Sequence, residues 1–293
     1  MTEPGSGLLV VDKPGGLTSH GVVARVRRLA GTRRVGHAGT LDPSATGVLV
    51  LGVGRGTRLL HFLTGADKEY RATMRLGVAT STDDADGEVL AQVDASGLDP
   101  EKLGAAVQAL VGWLDQVPST VSAVKVDGRP AHARVRAGEQ VVLEPRRVHV
   151  QRLEVLASHP GPAWLDLDVS VACSSGTYVR ALARDLGTAL GVGGHVRTLR
   201  RTRVGPFTLA EATELSALPE GLGDALLPLG DAAVRFLPVR VLQADAAARV
   251  RHGVPPAPTG VAGPVALLDE AGTLLAVAQD AGPRASLLAV LVG

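Results

Sequence analysis

The 293-residue sequence predicts an α+β fold with one large domain and a small, mainly β domain at its C-terminal end. Strand-like and helix-like segments alternate without the regular βαβ rhythm of a doubly wound sheet. After about Pro238 the pattern changes to short strands separated by prolines and glycines. The chain is long enough to bury a substantial core. We therefore expect one domain over residues 1–235 and a second over residues 236–293.

The first elements follow from local signals. Residues 8–12 (LLVVD) form a short apolar run that ends at a Pro-Gly-Gly turn, which is typical of a buried strand. Thr18 or Ser19 can then cap a helix that ends near Gly31, where a C-terminal glycine cap belongs. Valine and leucine recur on one face of this helix, while Arg25 and Arg28 lie on the other. The helix therefore has a core face and a basic face.

Further elements follow along the chain. Asp99 followed by Pro100 predicts a helix start, because a capping side chain followed by proline in the first turn is favoured. Leucines spaced by four predict a helix over residues 176–190. Strands are expected at residues 48–53, 70–76, 148–156, 164–171, 265–268, 274–277 and 286–291.

Composition limits the possible functions. Net charge is +1, but arginines cluster locally, as in the two pairs Arg27-Arg28 and Arg33-Arg34, and arginine suits phosphate contacts. The single cysteine, Cys173, excludes an internal disulfide and a multi-cysteine zinc site. No apolar run is long enough to span a bilayer, and the start MTEPGSG lacks the features of a signal peptide. We expect a cytoplasmic protein without a metal or cofactor.

The loop over residues 36–47 (GHAGTLDPSATG) is the most unusual stretch for chemistry. An aspartate held by backbone N–H groups in such a loop stays ionised and can act as a nucleophile or base, which makes Asp42 a candidate. An isolated Asp-Pro pair more often caps a turn. His37 has no second histidine or cysteine at metal-ligand spacing, so a metal site is not predicted.

A rival signal follows this loop. The apolar run at residues 48–51 leads into Gly52, Gly54 and Gly56, which resembles a strand that enters a phosphate-binding glycine turn. Thr57 replaces the expected last small residue, and no Walker lysine is present. This pattern would indicate a nucleotide-dependent transferase, but its match is weak.

Several segments together resemble the TruB family, which are bacterial tRNA pseudouridine-55 synthases. The resemblance runs over roughly residues 8–210 and rests on the segments DKPGGLTS (12–19), GHAGTLDPSATG (36–47), KEY (68–70), SAVK (122–125), GTYVR (176–180) and HVRTLRR (195–201). Two positions depart from the family pattern: Ser81 replaces a common aspartate, and His132 replaces an aromatic residue. The resemblance implies a mixed, mainly antiparallel sheet flanked by helices, with a small PUA-like RNA-binding domain after it.

The resemblance also assigns roles. It implies that Asp42 is the nucleophile and that Arg180 pairs with it and keeps the carboxylate charged. It implies that the residues contacting the target uridine are His37, Tyr70, Tyr178 and Leu199.

The expected reaction is the isomerisation of uridine-55 in the T-loop of tRNA to pseudouridine. Attack at ribose C1′ and attack at base C6 both remain open. The short tail and the order of the motifs favour a tRNA enzyme that works without an obligatory protein partner, and a monomer is the default expectation. A related enzyme for ribosomal RNA or with guide RNAs, and an RNA-binding protein without catalysis, are the alternatives.

Overall fold

The structure is a computed structural model that describes residues 5–119 and 143–292, together with the backbone of residues 125–126 and 129–130. The SAVK segment, apart from the backbone of Lys125, lies outside the described residues, and so does His132. No helix in the described part of the chain is long and apolar enough to cross a membrane.

Helices and strands are numbered in chain order. The helices are α1 (Ser19–Leu29), α2 (Leu60–Thr64), α3 (Pro100–Ala109), α4 (Val179–Ala189), α5 (Leu229–Ala233) and α6 (Ala244–Arg251). The strands are β1 (Gly7–Lys13), β2 (Val35–His37), β3 (Thr46–Val53), β4 (Lys68–Leu76), β5 (Val78–Thr80), β6 (Val89–Gln92), β7 (Gly112–Gln116), β8 (Lys125–Val126), β9 (Arg129–Pro130), β10 (Arg146–Pro160), β11 (Leu165–Cys173), β12 (Gly194–Val204), β13 (Phe207–Thr208), β14 (Thr213–Glu214), β15 (Leu227–Pro228), β16 (Val239–Leu242), β17 (Pro264–Asp269), β18 (Leu274–Ala281) and β19 (Arg284–Val290). This mixture of helices with mainly antiparallel strands is the predicted α+β class.

Contacts divide the chain into two compact units. Unit 1 comprises Met1–Ala66 and Arg203–Gly293, and unit 2 comprises Asp67–Thr202. The expected boundary between residues 235 and 236 separates segments that both belong to unit 1, so it stays a prediction about folding domains.

In unit 1, β1 pairs antiparallel with β3 along its whole length, from Gly7 opposite Val53 to Lys13 opposite Gly47. Strand β2 pairs antiparallel with the C-terminal end of β3, from His37 opposite Leu51 to Val35 opposite Val53. The loop over residues 36–47 therefore begins and ends on neighbouring strands. Helix α1 buries Val22, Val23 and Val26 against the apolar residues of β1 and β3, as the sequence predicted. Its N-cap is Thr18, whose hydroxyl accepts a hydrogen bond from the N–H of Gly21.

The C-terminal part of unit 1 contains a four-stranded sheet in the order β16-β17-β18-β19. Strands β17, β18 and β19 are antiparallel neighbours, while β16 runs parallel to β17. Alternate residues of β17 face two different cores. Leu267 packs with Val250 of α6, whereas Ala266 and Leu268 join the core that contains Leu8 of β1.

In unit 2, the strands β4, β11, β10 and β7 form an antiparallel sheet in that order, with β7 at the edge. Strand β4 alternates as predicted, and its buried side chains begin with Lys68 and Tyr70. Helix α4 begins at Val179, three residues later than the sequence predicted. Gly176 has a φ of +85° and Tyr178 is extended, so the chain makes a turn before the helix can start.

Candidate active site

The loop that carries Asp42 is held on both sides of this residue. On one side, the Oγ of Ser19 donates to the carbonyl of Leu41 at 3.1 Å and accepts from its N–H at 2.9 Å. On the other side, the carbonyl of Pro43 accepts from the Nζ of Lys13 at 3.1 Å and from the N–H of Gly16 at 2.9 Å. Asp42 itself is half-buried. Its backbone is therefore fixed while its side chain keeps a path to solvent.

Lys13 is the centre of this anchor. Its side chain is fully buried, and its ammonium also donates to the carbonyls of Pro14 at 2.9 Å and Leu17 at 2.6 Å. A buried cation is tolerated only when hydrogen bonds replace its lost hydration. The carbonyls of Pro14 and Leu17 in the first motif and of Pro43 in the second supply these hydrogen bonds. Lys13 therefore joins the two motifs.

His37 is the last residue of β2 and is half-buried. Its ring meets the ring of His20, on the first turn of α1, edge to face with centroids 5.5 Å apart. The same unit therefore contains both His37 and Asp42, joined by four residues of loop.

The other predicted site residues belong to unit 2. Tyr70 lies on β4 and is buried, Tyr178 directly precedes α4 and is half-buried, and Leu199 lies on β12 and is half-buried. On β12, the hydroxyl of Thr198 accepts a hydrogen bond from the N–H of Thr73 on β4 at 3.2 Å. This bond ties the backbone beside Leu199 to the strand that carries Tyr70.

Arg180 is buried in the first turn of α4 and is held by the acidic turn after β5. Its Nη1 donates to the carbonyl of Thr82 at 2.8 Å and to the carboxylate of Asp84 at 3.1 Å. Asp84 is fixed in turn, because its carboxylate accepts from the hydroxyl of Thr82 and from the N–H of Asp86. The expected pairing of Arg180 with Asp42 stays a prediction.

Gln116, at the end of β7, holds the backbone of Tyr178. Its Oε1 accepts from the N–H of Tyr178 at 2.8 Å, and its Nε2 donates to the carbonyl of Tyr178 at 3.1 Å. Gln116 is only 2% exposed, so these bonds are shielded from water. The amide fixes the backbone at the helix start from another strand, since Tyr178 makes no capping bond with its own side chain.

Neither Gln116 nor the role of Asp84 is predicted from the sequence. The acidic turn was a visible signal for Asp84, because a tight turn of carboxylates near a buried arginine stabilises that arginine. Gln116 gave no local signal.

Burial perturbs two further groups in unit 2. Desolvation, together with the nearby charge of Arg201, lowers the pKa of Lys68 to about 8. Desolvation raises the pKa of the Cys173 thiol to about 11. Cys173 is therefore a protonated, unreactive side chain at neutral pH.

The glycines after β3 have a packing role. A side chain at Gly52 would collide with the backbone of Gly56, and one at Gly56 would collide with the carbonyl of Gly7. Residues Gly54–Arg58 form a 3₁₀ helix rather than a turn that leads into a long helix. Close backbone contact thus accounts for the pattern that resembled a phosphate-binding turn. In the described residues, no group of three or more His, Cys, Asp and Glu side chains is arranged to hold a metal ion.

Family profiles and individual relatives both identify the same family. The profile of the TruB family pseudouridylate synthase N-terminal domain matches residues 27–179, and that of the tRNA pseudouridylate synthase B C-terminal domain matches residues 180–228. The chain is 56% identical to the tRNA pseudouridine synthase B of Rhodococcus jostii (strain RHA1), covering 98% of this chain and 94% of the relative. It is 51% identical to the protein of the same name from Thermobifida fusca (strain YX), covering 98% and 99%.

Solved structures share the fold. A Cbf5–Nop10–Gar1 complex contains a chain with a TM-score of 0.75 and 28% identity, covering 98% of this chain and 85% of that one. An H/ACA RNP bound to a substrate RNA containing 2′-deoxyuridine contains one with a TM-score of 0.74 and 27% identity, covering the same shares. These matches extend over nearly the whole chain. The chain belongs to the TruB family of pseudouridylate synthases.

Proposed function

We infer that the protein is a tRNA pseudouridine synthase that isomerises uridine-55 of the T-loop, an isomerase that uses RNA as its substrate. Relatives 50–57% identical over nearly the whole chain are named tRNA pseudouridine synthase B, which supports this substrate. The observation that carries the catalytic assignment is the anchored loop. Asp42 is a half-buried carboxylate whose two neighbours are fixed by Lys13 and Ser19.

The reaction rearranges bonds within one nucleotide. The N1–C1′ glycosidic bond breaks, the uracil turns, a C5–C1′ bond forms, and the C5 proton is transferred to solvent while N1 gains a proton. Asp42 is the nucleophile, at either ribose C1′ or base C6. An adduct at C1′ is displaced as the C5–C1′ bond forms, whereas an adduct at C6 is eliminated when the C5 proton leaves and the C5=C6 double bond returns. The balance of atoms and electrons needs neither an oxidant nor an energy source, so we propose that no cofactor takes part.

A uridine inside a folded T-loop must leave the base stack before a protein can act on it. Flipped bases are bound by aromatic faces and apolar walls. We propose that Tyr70, Tyr178 and Leu199 serve this purpose, that His37 contacts the uridine, and that Arg180 stabilises the charged form of Asp42. The tight hold of Gln116 on Tyr178 and of Asp84 on Arg180 supports such roles, because groups that bind a transient species work best when they are fixed in advance.

Phosphate contacts are the second requirement for an RNA substrate. Arg25 and Arg28 lie exposed on the face of α1 that is opposite its buried valines. Exposed arginines bind phosphates by charge and by bidentate hydrogen bonds. We propose that this basic face contacts the tRNA backbone, that the protein works as a monomer in the cytoplasm, and that residues 236–293 are a PUA-like RNA-binding domain.

The test is site-specific mapping of pseudouridine in unmodified tRNA after incubation with pure protein and no added cofactor. We expect conversion at uridine-55 alone, lost in Asp42→Asn, with tRNA affinity changed by less than a few fold. Asp99→Asn is the matched control, because asparagine also caps a helix and activity should be retained. Tight binding without turnover in the wild type would instead support an RNA-binding protein, and conversion only in ribosomal RNA would support the other substrate.

A further inference from the structure

Trp113 is one of only two tryptophans in the chain and is 62% exposed. It lies on β7, the edge strand of the unit 2 sheet, and its ring points away from the buried face that holds Val148 and Val150 of β10. Tryptophan is highly buried on average, so a ring this exposed is a feature that needs an explanation. Its surroundings supply one.

The ring of Trp113 is part of a preformed stack. It lies against the ring of His149, directly opposite on β10, with centroids 4.8 Å apart and planes inclined by 29°. The guanidinium of Arg147 lies 5.7 Å from the Trp113 ring centroid. An indole, an imidazole and a guanidinium therefore share one outer face of a rigid pair of strands.

Arg147 forms a single, solvent-exposed ion pair. Its Nη1 bonds to Asp115 at 3.0 Å, but both side chains of this pair are more than half exposed. Ion pairs of this kind contribute little, because water competes for both partners. Arg147 can therefore turn towards a phosphate without a large loss of stability.

Both strands of this surface are tied to the segment before α4. Gln116, three residues after Trp113, holds Tyr178 through two hydrogen bonds. His149 exchanges two bonds with Ser174, with its N–H donating to the Ser174 Oγ at 2.9 Å and its carbonyl accepting from the Ser174 N–H at 2.8 Å. Gln116 lies three residues, roughly 10 Å, along β7 from Trp113, and because side chains alternate along a strand, its amide faces the other side of the sheet from the Trp113 ring.

We propose that Trp113, with His149 and Arg147, is a stacking platform for an unpaired base of the RNA substrate, on the sheet face opposite to the contact between Gln116 and Tyr178. This rests on the proposed function, since it assumes that the substrate is an RNA. A flat aromatic ring with a cation beside it suits a nucleobase and its phosphate. The positive side chain of Arg147, with the imidazole of His149 beside it, favours a polyanion over a protein partner as the occupant.

Fluorescence tests this directly, because Trp164 is the other tryptophan. In Trp164→Phe the emission comes from Trp113 alone, and stacking of a base should quench it as tRNA is added. In Trp113→Phe, which retains Trp164, the signal should change little.

Affinity gives a second readout. Trp113→Ala should weaken tRNA binding about 5- to 150-fold, since base–aromatic stacking contributes roughly 1–3 kcal/mol. Trp113→Phe should bind within a few fold of the wild type. The alanine variant should unfold within about 2–4 °C of the wild type, because losing the stack with His149 costs only about 1 kcal/mol, and at saturating tRNA it should keep its turnover rate.

The two proposals fail in different ways. Pseudouridine formation by the wild type, with no quenching in Trp164→Phe and with unchanged affinity in Trp113→Ala, would overturn the platform and leave the proposed function intact. Quenching by tRNA without any pseudouridine formation would overturn the proposed function and leave the platform.

Discussion

Gln116→Glu is the substitution that tests most sharply how Tyr178 is positioned. Glutamate has nearly the same shape as glutamine, so it preserves packing at a site that is only 2% exposed. It keeps the acceptor for the N–H of Tyr178 but loses the Nε2 that donates to the Tyr178 carbonyl at 3.1 Å. At pH 8 the second carboxylate oxygen would face that carbonyl without a proton between them.

The size of the effect follows from these two bonds. Losing one hydrogen bond costs about 0.5–1.5 kcal/mol, and leaving a buried polar group unsatisfied adds about 1–3 kcal/mol. We therefore expect the free energy of unfolding of Gln116→Glu to be lower than that of the wild type by roughly 2–4 kcal/mol at pH 8. For a chain of this size that lowers Tm by about 4–8 °C. A misplaced Tyr178 should also lower kcat/KM, by about 10- to 100-fold if its ring moves by as much as 1 Å.

Lowering the pH should restore part of the stability that Gln116→Glu loses. Burial favours the neutral acid, so the pKa of the new carboxyl is raised in the folded state above its unfolded value. The protonated form is favoured in the fold, so its stabilisation is present at low pH and is lost as the pH rises through the folded pKa. The protonated carboxyl can donate to the Tyr178 carbonyl as the amide did. The gap in Tm between variant and wild type should therefore narrow between pH 8 and pH 5.5.

The assay is thermal unfolding together with kcat/KM at both pH values. Gln92→Glu makes the same chemical change at an exposed position on β6 and serves as the control. Wild-type stability and activity of Gln116→Glu at pH 8 would refute the reasoning. A Tm gap that stays constant with pH would show that lost donation to the carbonyl is not the cause.

Three other charged side chains can be tested by substitution. Lys13→Met should lower the free energy of unfolding by about 3 kcal/mol in urea, because the ammonium donates to three carbonyls, two of them in its own turn and one beside Asp42. Asp84→Asn should reduce single-turnover rates about tenfold while tRNA affinity changes by less than threefold, since it removes the charge that faces Arg180. The lowered pKa of Lys68, about 8 when folded against 10.5 as the ordinary value, should make the unfolding free energy rise with pH between these values, because only the unfolded chain binds the proton there.

Each of these has a clear contrary result. If Lys13→Met has the same free energy of unfolding in urea as the wild type, the buried ammonium does not stabilise the fold. Loss of tRNA binding in Asp84→Asn would place Asp84 in binding rather than in positioning Arg180. For Lys68 the control is Lys68→Met, in which the rise with pH should disappear. If the unfolding free energy of Lys68→Met still rises with pH, another titrating group causes the rise.

The sequence predicted the elements that depend on local signals. The caps at Thr18 and Asp99 and the alternation of β4 each rest on a few neighbouring residues, and the structure has all three. Leucine spacing predicts that α4 starts at Gly176, three residues too early, because this spacing does not reveal that Gly176 adopts a positive φ.

The site was less accessible to local reasoning. Asp42 alone resembled an ordinary Asp-Pro turn, and only the resemblance of several motifs to one family gave it a role. The bonds that fix Tyr178 and Arg180 join residues 62 and 96 positions apart in the chain. Pairings of that kind depend on which strands become neighbours, and neither periodicity nor propensity contains that information.

The burial of lysines has a practical consequence for labelling. The chain has only four lysines in 293 residues, and arginines carry nearly all of its remaining positive charge. Lys13 and Lys68 are buried, whereas Lys102 is exposed on α3. Among the lysines whose side chains the structure describes, Lys102 is therefore the one that an amine-reactive dye or a surface linker can reach. Helix α3 offers a natural attachment point for single-molecule measurements, and attachment there leaves the anchor of the Asp42 loop chemically untouched.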